Sequence, residues 1–166
     1  SMKKNLLLLL SLCTICAAPP LHAQTAASDI ADKKQTLYSS VNTPSTPYRI
    51  PAIATASNGD IIAVADYRHS RADIGMANNG RIDLRARISK DNGKTWGDIF
   101  DIVQGQGAAG VNTPGQMYVG FGDPCIVADR ESARVLVISC SGNVSFPSGT
   151  RNNHQGIAHF YSEDYG

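Results

Sequence analysis

Past its first 23 residues the sequence has no run of ten or more with helical periodicity, no long apolar stretch and no surplus of charge. The missing 3.6-residue pattern excludes a helical domain and points to an all-β chain. The longest apolar stretch, Leu6 to Ala18, is 13 residues, short of the roughly 20 that a membrane-spanning helix needs. Fifteen basic and 14 acidic side chains leave a formal charge of +1, which excludes the basic footprint of a nucleic-acid or anionic-membrane binder. Cysteine is scarce as well. Cys13 and Cys16 lie in the apolar start, and Cys125 and Cys140 carry no CxxC or HxxxH spacing. His69, His154 and His159 are scattered, so the pattern implies no metal site and no cofactor.

The apolar start reads as an export signal. Ser1 ahead of Met2 is a cloning remnant, Lys3 and Lys4 form a charged head, and Pro19-Pro20 ends the apolar core. Leu21-His22-Ala23 closes on a small residue suited to signal peptidase, giving a mature start at Gln24. The domains expected are a remnant and signal over 1–23, a polar tether over 24–44 and a folded portion over 45–166. Removing Lys3 and Lys4 leaves 13 basic and 14 acidic side chains, net −1. The protein is expected to be exported, to the periplasm, the cell surface or the medium, where thiols can oxidise; Cys125 and Cys140, at plausibly opposite positions on neighbouring strands, are expected as two buried thiols, with a geometrically demanding cross-strand disulfide as the alternative.

Four strand-like runs follow the tether: Arg49 to Ala56, Ile61 to Arg68, Ile82 to Ser89 and Ile99 to Gln104. The third, IDLRARIS, alternates apolar and polar residues as a half-buried antiparallel strand should. Between the first two lies Asn58-Gly59, a strong signal for a two-residue hairpin turn. That turn would pair residues whose numbers sum to 117, setting Arg49 directly opposite Arg68. Like charges so placed are destabilising, so an anion is expected between or beside them.

The pattern then repeats. Pro51 and Pro124, Ile53 and Ile126, and Ser89 and Ser162 are each 73 residues apart. Each unit supplies a strand, a polar turn, a second strand, a loop and a third strand ending at serine. A four-stranded unit recurring at fixed period is the signature of a β-propeller. One unit and most of a second are present, and about three repeats are usually needed for stability. The chain is therefore expected to be the N-terminal part of a longer protein.

The first unit runs into SKDNGKTW, in which Ser89, Asp91, Gly93, Thr95 and Trp96 have separable roles. Asp91 can accept N–H groups of its own turn, Gly93 permits positive φ, and Trp96 can pack beneath the hairpin. SEDYG repeats half of the device through Ser162, Asp164 and Gly166. The spacing S-x-D-x-G-x-T-W resembles the Asp-box, and YRIP before it resembles the arginine motif of bacterial sialidases. RHSRADIG and GFGDPCIV extend the resemblance over nearly everything from Tyr48 to Gly166.

The resemblance implies a six-bladed propeller with its substrate, a sialylated glycoconjugate, on the central axis. Arg49 matches the first of three arginines that grip the sialic-acid carboxylate, for which a guanidinium fork is suited. Arg68, with Asp123, matches the pair near the sugar 4-hydroxyl, and Asp73 matches the acid/base aspartate. A salt bridge from Arg68 to Asp66 or Asp73 is the structural alternative. Members of this family use a tyrosine nucleophile, activated by a glutamate; in the family these, and the other two arginines, lie in later blades. Tyr48, Tyr67 and Tyr118 read as packing residues, and Asp66 and Asp83 as structural. Phe121, Phe146 and the Ser141 to Asn153 loop are positioned to line an N-acetyl pocket. The function implied is retaining exo-α-sialidase activity; a non-catalytic Asp-box propeller that binds glycans is the alternative.

Overall fold

The apolar run Ile61–Ala65 and the alternation of Ile82–Ser89 give these strands a face that must be covered, and a second group of strands covers it. The structure, a computed structural model, describes residues 34–40, 48–76, 80–106 and 119–166. The expected export signal, most of the tether and Tyr118 lie outside the described residues. Thr36 to Gly166 form one unit. Its strands are β1 (Tyr48–Thr55), β2 (Ile61–Arg68), β3 (Ile82–Ser89), β4 (Phe100–Val103), β5 (Gly120–Ala128), β6 (Val135–Gly142) and β7 (Gly156–Ser162). Among the described residues there is no α-helix, and no helix long and apolar enough to cross a membrane.

Strands β1 to β4 pair antiparallel in chain order, as do β5 to β7, and one parallel bridge from Ile82 to Gly120 links the two groups. They stack through a shared core. Ile62, Val64, Leu84 and Ala86 of the first group meet Ile126, Val135 and Val137 of the second. Burying side chains of this size stabilises by about 1.5–3 kcal/mol each. Beyond Val64 the same face of β2 turns from apolar to charged, at Asp66 and Arg68, both buried. The outer face of the second group leaves Val127, Ile157 and Tyr161 exposed.

The hairpin differs from the expected one. Ala56 and Asp60 close a three-residue loop, and Gly59 (φ +92°) has positive φ while Asn58 does not. The Asn58 side chain supports that loop by accepting the Asp60 N–H at 2.9 Å. Ile53 then pairs with Ala63, and a bulge between Arg49 and Ala52 shifts the register again. Arg49 therefore sits opposite Asp66, not Arg68. The like-charge conflict inferred from the turn does not exist. At the bulge Ile50 has φ +48°, a rare conformation for a β-branched residue. Asp123, 73 residues on and also ahead of a proline, has φ +55° at the matching bulge of β5.

Two further expectations change. Residues 37–40 do not belong to a tether: Tyr38 donates to the Ala63 carbonyl at 2.7 Å, and Ser40 Oγ accepts the Tyr48 N–H at 3.0 Å. Tyr38, Tyr48, Tyr67 and His69 form a continuous stack with centroids 4.8–5.0 Å apart. Tyr48 and Tyr67 are thus packing residues. In the β5–β6 ladder Cys125 pairs with Ile138, and beyond the bulge Cys140 pairs with Gly122. The two cysteines are free, Cys125 exposed and Cys140 partly so, rather than bridged or both buried.

Candidate functional site

The serine that ends β3 builds the turn after it. Ser89 Oγ donates to Asp91 Oδ1 at 2.9 Å and accepts the Gly93 N–H at 2.8 Å. Asp91 also takes the Thr95 N–H at 2.8 Å and its hydroxyl at 2.5 Å. The Thr95 hydroxyl and N–H hold the Asp91 carboxyl down at about 2. Asn92 (φ +60°) and Gly93 (φ +82°) form the tight bend. Trp96 is half-buried, and its carbonyl accepts from Arg87. After β7, Ser162 repeats the geometry with Asp164 at 2.5 Å and the Gly166 N–H at 2.9 Å, and Tyr165 and Gly166 again have positive φ.

The chemistry-bearing residues collect at the charged end of β2 instead. Arg68 turns Nε and Nη2 onto Asp66 Oδ2 at 3.1 and 3.0 Å. That orientation sends Nη1 to within 3.1 Å of Asp73 Oδ1. The contact is one of charge: Nη1 and Asp66 Oδ1 are buried without an aligned hydrogen bond. Arg68 is thus held between a fully buried carboxylate and one whose side chain is 59 % exposed. The salt bridge that was the structural alternative for Arg68 is present.

Asp73 stands on a firm base. The next residue, Ile74, is buried, and β-carbons placed on Gly120 and Gly122 would touch it at 3.2 and 3.4 Å. The Ile74 N–H donates to Asp73 Oδ1 at 2.8 Å, and the Met76 N–H to the Asp73 carbonyl at 3.0 Å. Gly75, at φ +66°, lies so close to the Val144–Ser145 backbone that a β-carbon would sit 2.2 Å from the Val144 carbonyl carbon. The loop bearing Asp73 is therefore seated on β5 and on the segment after β6.

Arg49 and Asp123 are exposed and belong to the same cluster. Burial pushes the Asp66 carboxyl up to about 6; Arg68 pulls it down, Asp123 raises it and Arg49 lowers it. Burial, then Asp123 and Asp73, raise the Cys140 thiol. Arg49, Arg68, Asp73 and Asp123 thus act on one region, with Asp66 at its centre. Asp66, structural from the sequence, is fully buried and paired to Arg68 as that reading expects, and Cys140, to which the sequence assigns no role here, lies within reach of the same charges. The usable signal was the two-residue spacing of Asp66 and Arg68, which puts them on one face of a strand.

Other candidates fall elsewhere. Phe121 packs against the core and, at 5.7 Å, edge-on to Phe160; Phe146 is 88 % exposed, at the start of a short 3₁₀ turn. An apolar cavity of about 150 Å³ between the sheets, lined by Phe100, Ile102, Ile126, Val137 and Phe160, shares no residue with the charged cluster.

No family model matches the chain. Over 89 residues, 54 % of its length, it is 33 % identical to a sialidase of Micromonospora viridifaciens, and the match covers 12 % of that protein. Among solved structures, the intramolecular trans-sialidase of Ruminococcus gnavus, in complex with oseltamivir carboxylate, gives a TM-score of 0.50 at 23 % identity, covering 64 % of this chain and 24 % of the other. The leech intramolecular trans-sialidase, complexed with 2,7-anhydro-Neu5Ac, gives 0.52 at 21 %, covering 75 % and 20 %. A Streptococcus pneumoniae sialidase gives 0.51 at 20 %, covering 76 % and 21 %. At such identities the solved structures speak to the fold alone, part of a β-propeller. The chain spans about an eighth of its curated relative and no more than a quarter of these structures.

Proposed function

From a chain that is a sialidase homologue over 89 residues, we propose that the protein built on it is an exo-α-sialidase. It releases terminal sialic acid from glycoproteins, glycolipids or oligosaccharides with retention of configuration. The observation that carries this reading is the meeting of Arg68 and Asp73 at 3.1 Å, beside an exposed Arg49. Sialic acid is an anionic sugar, and a guanidinium recognises a carboxylate in a way no neutral group can. Arg49 takes the carboxylate, and Arg68 with Asp123 borders the sugar ring. Cleavage of the glycosidic bond needs a proton on the leaving oxygen, and Asp73 supplies it from a solvent-facing position on a seated loop.

The nucleophile is outside this reading. A neutral tyrosine attacking an anionic sugar avoids the repulsion that a carboxylate would meet, and the family uses one. The serine-aspartate turns are Asp-boxes in this reading and fix the outer corners of two blades. The parent polypeptide is a six-bladed propeller exported from the cell, of which residues 45–166 supply one blade and three strands of another. The test is proton NMR of sialyllactose with the parent polypeptide. Free sialic acid appearing first as the α-anomer supports retaining hydrolysis, and the β-anomer appearing first overturns retention.

A second reading is favoured by the Arg68 pairing itself. An arginine bound to Asp66 and Asp73 is already neutralised and occupies the carboxylate that would give the proton, which suits binding without cleavage. Sialoside binding by a folded parent with no product formed would select it.

A further inference from the structure

Asp83 is a buried carboxylate that neither the core nor the charged cluster uses. It lies on β3 opposite Tyr67, on the face turned away from the second sheet, with none of its surface exposed. Three separate pieces of chain converge on it. His69 Nε2 lies 2.5 Å from Oδ2. Arg81 donates from Nε to Oδ1 at 3.1 Å and from Nη2 to Oδ2 at 3.4 Å. The Gly105 N–H donates to Oδ1 at 2.7 Å. Burial alone would raise the Asp83 carboxyl, yet these donors hold it below the ordinary range.

Two of these partners stand at the two ends of one loop. His69 follows the last residue of β2, Arg81 precedes the first residue of β3, and the His69 N–H bonds the Arg81 carbonyl at 3.3 Å. Between them the loop carries Asp73, with Ile74 as its apolar anchor. One carboxylate can serve both ends because its two oxygens offer about four acceptor sites. An apolar residue at this place would withdraw the acceptor that His69, Arg81 and the Gly105 N–H share, a cost borne at the loop's base rather than in the sheet.

We propose that Asp83 is a positioning residue for Asp73: by binding His69 and Arg81 together it closes the base of the loop and fixes where the Asp73 carboxylate stands relative to Arg68. The loop-closing part stands without the sialidase reading, and its catalytic consequence rests on that reading. A carboxyl held within hydrogen-bond reach of a leaving oxygen must be placed to within fractions of an ångström. Ile74 fixes the middle of the loop, and Asp83 fixes its ends.

The test compares Asp83→Asn, Arg81→Gln and Asp101→Asn in the parent polypeptide. Asp101→Asn breaks the 2.8 Å pair with Arg85 elsewhere on β3 and serves as the control. Arg81→Gln, at a partly exposed side chain, decides the matter if Asp83→Asn does not fold. Hydrogen exchange at the Ile74 and Met76 amides should quicken about tenfold or more in the first two variants, with the β6 amides unchanged. Catalysis is read on two substrates. A nitrophenyl sialoside leaves without needing a proton, and sialyllactose needs one; kcat/KM on sialyllactose should fall roughly tenfold further than on the aryl substrate. Unchanged exchange at Ile74 and Met76, or equal losses on both substrates, overturns the proposal. A parent that cleaves neither substrate but whose loop loosens in the variants retains the loop-closing role of Asp83 and removes the sialidase reading.

Discussion

Replacing Gly75 by alanine perturbs the seat of Asp73 without touching any charged group. The left-handed conformation at φ +66° costs an alanine about 1–2 kcal/mol. The new β-carbon would also meet Val144 C, Ser145 N and Val144 N at 2.2, 2.3 and 2.5 Å, where ordinary contact begins near 3.4 Å. Those atoms are backbone, so they cannot swing aside as a side chain would. Forced overpacking of this kind costs about 1–3 kcal/mol. The combined burden of roughly 2–5 kcal/mol matches or exceeds the roughly 1.5–3 kcal/mol gained by burying Ile74. The loop should therefore lift before the sheets unfold. Gly59→Ala is the matched control, since φ is +92° there and nothing lies within 4 Å of the added carbon. Urea unfolding combined with residue-resolved hydrogen exchange separates the two variants. Gly59→Ala should lose only the backbone strain, whereas Gly75→Ala should also lose protection at Ile74 and Met76. Equal behaviour of the two variants would refute the packing of this loop on Val144 and Ser145.

Three other outcomes follow from the same geometry. Ser89→Ala removes a fully buried hydroxyl that bonds Asp91 and the Gly93 N–H; it should cost about 1–3 kcal/mol by urea unfolding, and Ser162→Ala, at a less buried serine, less. Asp66 has a folded pKa of about 6 against an ordinary 3.8, so the fold binds its proton more tightly than the unfolded chain does. Stability should thus rise as pH falls from 6 towards 4, by at most about 3 kcal/mol, and in Asp66→Asn that rise should vanish. Cys125 and Cys140 should both be alkylated in the folded protein without reductant, Cys125 first, because burial and two nearby carboxylates raise the Cys140 thiol; resistance to alkylation until reduction would contradict the strand register.

The limits of β2 and β3 were legible residue for residue, because the apolar run of β2, the alternation of β3 and the flanking turn residues agree there. So were the 73-residue repeat and both serine-aspartate turns, whose donors and acceptors lie within seven residues of one another. Register was not legible. It depends on whether the Asn-Gly hairpin has two loop residues or three, and on a bulge where Ile50 adopts a positive φ that its side chain disfavours. Each irregularity is a local choice settled by packing against the second sheet, and together they exchanged Arg68 for Asp66 as the partner of Arg49. In β5 and β6 the register set by the hairpin already places Cys125 opposite Ile138, two residues short of Cys140. The stack from Tyr38 to His69 joins four distant positions, and the tie of Asp83 to both ends of the Asp73 loop appears only once β2 and β3 are paired. Asp73 and Arg68 were named from a motif, but their contact follows from Asp66 beneath them, which the motif does not contain.

In the proposed reaction the carboxylate on the loop after β2 delivers the proton in sialoside cleavage. The most direct measurement is the rate of sialic-acid release from sialyllactose by the parent polypeptide beside its Asp73→Ala variant, at matched folding. Release by the parent and a loss of about 10²–10⁴-fold in the variant are expected. Release by the variant at the parent's rate would contradict this role for Asp73, as would a well-folded parent that releases none.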